Sequence, residues 1–258
     1  FSLTPAVAPL LGEQIMSVFG WRGIFMAFAL FGIILLFWFL TRLGETLPKA
    51  SRRVFYPSKV WPSLIEMYKN KQVRISILTQ SFSYVPLFSS IILIQPIFDQ
   101  SFEAGSSFAK WFALIAIISA LSSLINAKLV MRFGMRRMVV SSLFFQILIS
   151  SIVLAYFCLG TVSVPTSFYV YLIWQTGIFF QVGFTLGNLN ALALQPLGHI
   201  AGFGASIVGG ISTVIAAAMA SIVNILFDGT PIPLIGSCLA VIVVAYFVAI
   251  FLPNNTAS

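Results

Sequence analysis

The sequence has 258 residues, of which 59% are apolar and 8% carry a charge, with a mean hydropathy of +1.03 and a formal net charge of +8. About a quarter of the residues of a soluble domain are charged, so a chain this poor in charge would expose an apolar surface to water and aggregate. The composition therefore excludes a soluble domain, and it excludes a disordered segment, a fibrous repeat and a disulfide scaffold as well. Since a membrane-spanning helix needs about 20 apolar residues, it predicts an all-α membrane protein with several spans.

Hydropathy along the chain predicts eight spans, separated by polar or glycine- and proline-containing breaks. The first is short and ends at Phe19-Gly20-Trp21-Arg22, Pro165 opens a later helix, and a tight turn is predicted at Asp228-Gly229-Thr230-Pro231. The apolar runs are too long for the strands of a barrel. The predicted spans lie near residues 1–18, 23–42, 73–97, 106–130, 138–160, 166–191, 200–227 and 232–252.

The first residues contain neither Met nor a charged stretch before an apolar run, so they do not resemble a signal peptide. We therefore expect the chain to be a piece of a longer protein. Residues 1–43 are predicted to be the last two helices of an incomplete N-terminal bundle, and residues 44–72 a cytoplasmic linker with Trp61 and Tyr68 at the membrane interface. A complete six-helix C-terminal bundle is predicted over residues 73–252, followed by a cytoplasmic tail at 253–258.

Basic residues are concentrated on one side of the predicted spans. Eight lie between spans two and three and four between spans four and five, so twelve of the 14 share one side. By the positive-inside rule this side is cytoplasmic. Because topology accounts for the basic residues and no separate basic domain exists, we expect no nucleic-acid binding.

Polar side chains follow one face of the sixth predicted span and one face of the third. The first face has Trp174, Gln181 and Asn188 at i, i+7 and i+14, and the second has Gln80 and Tyr84 at i and i+4. Such amides can hydrogen-bond between helices, a contact of about 1 kcal/mol or less in a membrane, or they can border a water-filled cavity. Spans two and eight carry almost no polar side chains, and this contrast favours a cavity and hence a transporter. The predicted cavity residues are Gln80, Tyr84, Trp174, Gln181 and Asn188.

Small residues at steps of four predict close helix contacts in the sixth predicted span, where Gly183, Gly187 and Ala191 share a face. Catalytic and metal-binding patterns are absent from the sequence. Cys158 and Cys238 each lie in an apolar run and are predicted to be buried, and two distant thiols with one histidine cannot hold a metal. That histidine, His199, is predicted to cap a helix or hydrogen-bond nearby backbone at a helix junction, with a proton-carrying role as the alternative.

Glu13 is the one acidic residue that the hydropathy places within a span. A buried carboxylate is costly unless it is paired or protonated, so its pKa should be raised and it could exchange protons during transport. The alternative is an interfacial position near Arg22. Both interpretations stay open at this point.

Several stretches resemble motifs of the major facilitator superfamily, in the order and spacing typical of its Bcr/CflA drug-resistance branch. Residues 5–12 (PAVAPLLG) resemble the antiporter motif of the fifth helix, and FGWRGIF and GETLP follow it. NAKLVMRFGMRR, residues 126–137, resembles the cytoplasmic loop motif between helices eight and nine. NALALQPLGHIAGFGAS, residues 190–206, is similar to the junction of helices ten and eleven.

The resemblance implies that the eight spans correspond to helices five to twelve of a twelve-helix fold, without the first four helices, where the main proton-coupling acids are expected. Pro9 and Gly12 would then form a hinge-like fifth-helix motif. The cytoplasmic gate loop would be formed by Arg132, Gly134, Arg136 and Arg137. This chain departs from the family pattern at Glu13, where a second glycine is common, and at Met131, where the loop motif usually has an acid.

The resemblance also implies a secondary transporter of the bacterial inner membrane that exports small amphipathic or cationic compounds in exchange for protons by alternating access. We expect a monomer in a bilayer with anionic headgroups, with the proton gradient as energy source and without a cofactor or enzymatic activity. One alternative is a metabolite or peptide transporter of the same fold. The other is a non-transporting membrane scaffold or an intramembrane enzyme.

Overall fold

The apolar runs form helices, because a backbone in hydrocarbon must satisfy its polar groups within its own segment. The computed structural model describes residues 4–43, 57–160 and 163–253, and this part of the chain contains eight α-helices and no strand. The all-α prediction is confirmed. The helices are α1 (Thr4–Arg42), α2 (Pro57–Lys69), α3 (Lys71–Phe102), α4 (Phe108–Phe133), α5 (Met135–Leu159), α6 (Val164–Leu194), α7 (Ala201–Ile225) and α8 (Ile232–Ile250).

Six helical stretches of the described residues are long and apolar enough to cross a membrane. One of them, Val164–Ile225, contains α6, α7 and the 3₁₀ turn Gln195–Ile200 between them. Another, Leu11–Arg42, lies in α1, where the first two predicted spans form one element with a kink at Gly20 (φ 67°, ψ −175°). The predicted break thus lies at a glycine whose backbone conformation other residues rarely adopt, but the count of eight spans is not confirmed.

Helices α3 to α8 pack into one bundle in which α3 is the most enclosed. It packs against α6, α7 and α8, while α4 and α5 each pack along α6, and α1 packs chiefly against α4. Trp174, Tyr171 and Phe98 are among the largest fully buried side chains. Helix α6 therefore packs along α3, α4 and α5 and also contacts α7, and its polar face lies inside the bundle.

Hydrogen bonds between helix ends fix which termini share a side. Gln72 at the start of α3 donates from Nε2 to the carbonyl oxygen of Leu192 at the end of α6 (2.8 Å). Arg136 at the start of α5 donates from Nη2 to the carbonyl oxygen of Ile250 at the end of α8 (2.6 Å). At the opposite end, Ser101 Oγ donates to the carbonyl oxygen of Gly229 (2.6 Å). The basic starts of α3 and α5 therefore lie at one end of the bundle, as the charge pattern predicts.

The predicted turn at residues 228–231 is present between α7 and α8. Gly229 adopts φ 89°, and the Asp228 carboxylate accepts hydrogen bonds from Thr230 Oγ1 (2.7 Å) and Thr230 N (2.9 Å). These bonds lower the pKa of Asp228, because they stabilise its charged form. The turn therefore has its polar groups satisfied locally outside the membrane-spanning segments.

The predicted linker contains a helix that the hydropathy does not indicate. Within residues 44–72, positions 44–56 lie outside the described residues, and most of the remainder forms the amphipathic α2. Trp61 and Tyr68 on this helix are 70% and 71% exposed, consistent with the predicted interfacial position. Asn70 then begins α3, since its side chain accepts hydrogen bonds from the backbone N–H groups of Gln72 and Val73. Residues 254–258 of the predicted tail lie outside the described residues.

Candidate functional site

Helix α6 forms a wall of two cavities. The first, which we call the small cavity, has a volume of about 360 Å³ and lies between α3, α4 and α6. The second, the lateral groove, has a volume of about 990 Å³ and lies between α4, α5 and α6, with Tyr246 of α8 at its border. Both volumes fall within the range of small-molecule sites, roughly 300–1,000 Å³.

Two glycines of α6 shape the small cavity. At Gly183 the helix lies so close to α4 that an added Cβ would lie 2.8 Å from Ser122 Cβ and 3.2 Å from Ser123 N. One turn further, an added Cβ on Gly187 would meet nothing within 4 Å, and both glycines line the cavity. The predicted close-contact stripe is therefore correct at Gly183 and wrong at Gly187, because α6 leaves open space beside the second glycine.

An asparagine pair lies at the wall of the small cavity. Asn188 of α6 donates from Nδ2 to Asn126 Oδ1 of α4 (2.9 Å) and to the carbonyl oxygen of Phe184 (2.8 Å). Asn126 lines the cavity, whereas Asn188 is 5% exposed and lies behind it. The predicted residue Asn188 thus reaches the cavity through its partner.

The predicted polar face of α3 also leads to the small cavity. Gln80 Nε2 donates to the hydroxyl oxygen of Tyr84 (3.2 Å). The ring of Tyr84 stacks on Phe88, with centroids 5.6 Å apart and planes 10° from parallel. Phe88 in turn lines the cavity. Gln80 and Tyr84 are therefore connected to it through one aromatic stack.

The other two predicted cavity residues lie elsewhere on α6. Gln181 lines the lateral groove, and its buried Oε1 has no hydrogen-bond partner among the described residues. Trp174 is fully buried, and its Nε1 donates to Ser150 Oγ of α5 (3.0 Å). It lines neither of the two cavities. Its contact with a substrate stays a prediction, as do those of the other four residues.

The predicted fifth-helix motif lies in α1. Gly12 is half-buried and an added Cβ there would meet no atom within 4 Å, while the side chain of Pro9 lies outside the described residues. Glu13 is exposed on the helix surface. Its role as a proton site stays a prediction.

The predicted loop motif forms a one-residue junction between α4 and α5. Gly134 alone separates the two helices and adopts φ 82°, a conformation that favours glycine. The guanidinium of Arg132 lies 5.4 Å from the ring centroid of Phe133. Arg136 and Arg137 both line the lateral groove, and Arg137 is exposed.

His199 and Cys158 differ from their predictions, whereas Cys238 does not. His199 Nε2 lies 3.1 Å from Glu66 Oε1 of α2, and both side chains are about half exposed (52% and 47%). Its partner is thus a side chain of the linker helix rather than nearby backbone. Cys238 is buried as predicted, but Cys158 is exposed because it lies near the end of α5. The described residues contain no group of three potential metal ligands.

The contribution of α4 to the small cavity was not predicted from the sequence. Ser119, Ser123 and Asn126 line it together with Phe88 and Ile91 of α3. The spacing of the three α4 residues, i, i+4 and i+7, is a polar helical face within an apolar run, and this signal could have identified them.

Comparison with known proteins identifies the family of this bundle. The sequence profile described as Major Facilitator Superfamily matches residues 1–221 of the chain. The chain belongs to the major facilitator superfamily. Members of this superfamily are membrane transporters rather than enzymes, and this chain is a multi-pass protein of the bacterial inner membrane.

Several relatives of this major facilitator chain have names that refer to drug resistance. It is 24% identical over 254 residues to a "Bicyclomycin resistance protein homolog" of Haemophilus influenzae, an alignment that covers 96% of the chain and 62% of the relative. It is 33% identical over 117 residues to "Multidrug resistance protein MdtL" of Escherichia coli K12, covering 45% of the chain and 29% of that protein. The chain thus spans less than two thirds of the length of these relatives. The predicted resemblance to the drug-resistance branch is confirmed.

Proposed function

We propose that this chain forms part of a drug exporter that moves small amphipathic or cationic compounds outwards in exchange for protons, by alternating access. The observation that carries this proposal is the lining of the small cavity. It combines two aromatic rings, hydroxyl groups and an amide, and none of its described lining residues is charged. A mainly apolar pocket with a few polar groups suits amphipathic ligands. The names of the relatives support the same substrate class.

In this proposal the substrate lies between α3, α4 and α6. The stacked rings of Tyr84 and Phe88 offer an apolar face, which also attracts a cationic group. The amide pair Asn126 and Asn188 can exchange its mutual hydrogen bond for one to the substrate. Gln80 supports this site through its hydrogen bond to Tyr84, whereas Gln181 and Trp174 lie on parts of α6 that line the lateral groove and contact α5.

Alternating access requires groups of helices that move as rigid bodies. The close approach of α6 to α4 at Gly183 supports the movement of these helices as one unit, since packed surfaces resist sliding. α1 packs against α4, so the helix that contains the motif of Pro9 and Gly12 lies beside one of these bodies. Glu13 on the same helix is our candidate proton site, and the proton gradient is the proposed energy source.

An export assay tests the proposal. Cells that express the complete gene product containing this sequence would be loaded with ethidium, and its efflux recorded with and without a protonophore. We expect efflux to stop when the gradient is dissipated, and the Asn126→Ala variant to export several-fold more slowly. Asn224→Ala is the matched control, because Asn224 is exposed near the end of α7. Efflux that persists without the gradient, or net uptake, would refute proton-coupled export.

A further inference from the structure

The lateral groove lies within the membrane-spanning part of the bundle. Its two outer walls, α4 and α5, meet at Gly134, and each then packs along α6 while contacting the other much less. The groove occupies the space between them. Because α4 and α5 are both apolar enough to span the membrane, a compound that occupies this space has to be soluble in hydrocarbon.

Aromatic rings are concentrated on the walls of the lateral groove. Six of its 18 described lining residues are aromatic, against 15% of the residues in the whole chain. On α6, the ring centroids of Phe180 and Phe184 lie 5.4 Å apart. On another wall, the ring centroid of Phe144 of α5 lies 6.0 Å from that of Tyr246 of α8. Since aromatic rings attract one another in tilted and edge-to-face arrangements, this lining favours an occupant that is itself aromatic.

Gln181 contributes a hydrogen-bond acceptor that has no donor. Its Nε2 donates to Thr185 Oγ1 (3.4 Å), and the hydroxyl of Thr185 donates in turn to the carbonyl oxygen of Gln181 (3.2 Å). Because that hydroxyl uses its hydrogen on backbone, it can only accept from the amide, and this fixes Oε1 as the atom left over. Gln181 is 3% exposed, and its Oε1 has no partner among the described residues. A buried carbonyl oxygen without a donor is costly, so a ligand that donates one hydrogen bond is favoured here.

Most other neutral polar side chains of the groove are already hydrogen-bonded. Gln146 Nε2 donates to Ser150 Oγ (3.3 Å). Three hydroxyl groups of the lining donate to backbone carbonyl oxygens of their own helices at 2.6–2.9 Å, and they belong to Ser141, Ser142 and Thr176. Among the described lining residues, Gln181 Oε1 is thus the one buried neutral atom without a partner.

The charge of the groove lining indicates a neutral occupant. Arg137 lines the end of the groove near Gly134, and its positive charge disfavours a cationic compound there. An ammonium donor is therefore less suitable for this groove than a hydroxyl or an indole N–H.

We propose that the lateral groove binds a neutral aromatic compound that carries one O–H or N–H donor, such as a naphthol or an indole. Its ring lies among the aromatic side chains of α5, α6 and α8, and its donor bonds to Gln181 Oε1. The site is separate from the small cavity, because α6 lies between the two. It does not depend on the export function proposed above, and its test measures binding rather than transport.

Isothermal titration calorimetry of the complete gene product in detergent tests the proposal. The probes are 1-naphthol and 1-methoxynaphthalene, which has the same ring system without the donor, and titrations into detergent alone correct for partition into micelles. One hydrogen bond corresponds to about two- to tenfold in affinity, so 1-naphthol should bind about two- to tenfold more tightly than 1-methoxynaphthalene. Gln181→Leu should abolish this preference, because it removes the acceptor and keeps an apolar side chain of similar size.

Gln175→Leu is the matched control. Gln175 is a fully buried amide on the same helix, neither of its amide atoms has a partner among the described residues, and it lines neither cavity. We expect its variant to keep the preference for 1-naphthol. Two further variants locate the probe. Ser142→Phe adds a ring to the groove lining and should weaken both probes, whereas Gly187→Leu fills part of the small cavity and should weaken neither.

Four results would overturn the proposal. They are equal affinity of the parent for the two probes, an equal loss of preference in Gln175→Leu and Gln181→Leu, loss of binding in Gly187→Leu, and unchanged binding in Ser142→Phe. Circular dichroism of each variant confirms that helicity is retained, so that a change in affinity reports on the site and not on unfolding.

Discussion

Two glycines one turn apart on α6 allow a matched test of the packing described above. Gly183→Ala places a methyl group 2.8 Å from Ser122 Cβ and 3.2 Å from Ser123 N, whereas Gly187→Ala places it in open space. Both changes gain the same helix propensity, about 1 kcal/mol. Only the first adds overpacking, which costs about 1–3 kcal/mol. The propensity gain cancels in the comparison, so Gly183→Ala should be less stable than Gly187→Ala by about 1–3 kcal/mol.

Thermal unfolding of the two variants in the same detergent measures this difference. At about 2–4 °C per kcal/mol for a chain of this size, the Tm of Gly183→Ala should lie about 2–12 °C below that of Gly187→Ala. Adding Ser122→Gly removes the nearest Cβ and should recover part of the loss in Gly183→Ala, while it should recover nothing in Gly187→Ala. Equal Tm values for the two single variants would show that α6 and α4 are not in close contact at Gly183.

Three further substitutions test single contacts. Asn188→Ala removes the hydrogen-bond donor to Asn126. We expect the free energy of unfolding to fall by about 1 kcal/mol or less and ethidium export to become several-fold slower. Unchanged export would exclude the amide pair from the substrate path. Trp174→Phe removes the hydrogen bond to Ser150 and should lower stability by about 1 kcal/mol. Because Ser150→Ala also removes the hydrogen bond from Gln146, the double variant should lose more than Trp174→Phe but less than the sum of the two single losses; additive losses would disprove the bond. Glu66→Gln removes the half-exposed contact with His199 and should change stability by less than about 1 kcal/mol, so a larger loss of Tm would show that α2 is held to the bundle mainly by this pair.

The sequence was sufficient to predict the helices of the bundle and several of their ends. Long apolar runs have one stable backbone solution in a membrane, and Gly134 and residues 228–231 mark turns through their own conformational preferences. Helix α2 was not predicted because it is amphipathic and short, so hydropathy does not distinguish it from a linker. The sequence does not distinguish two separate spans at its start from one kinked helix, because a glycine at position 20 permits both arrangements.

The sequence predicts which face of a helix contributes to the candidate site, but it does not predict which neighbouring helix that face contacts. Periodicity places Trp174, Gln181 and Asn188 on one side of α6, and all three are indeed buried. Their partners differ because α6 lies between two helices: Trp174 bonds to Ser150 of α5, and Asn188 bonds to Asn126 of α4. Which neighbouring helix a given turn of α6 contacts depends on the angles at which the helices cross. These angles are set by tertiary packing and not by the local sequence.

The position of α6 between two open volumes has a mechanical consequence. Phe179 lines the small cavity and Phe180 lines the lateral groove, since adjacent residues on a helix point about 100° apart. A rigid helix cannot turn one of these rings without turning the other. Any rotation of α6 that widens the space on one side therefore changes the shape of the space on the other, and the bundle interior and the lipid-facing surface respond to the same movement.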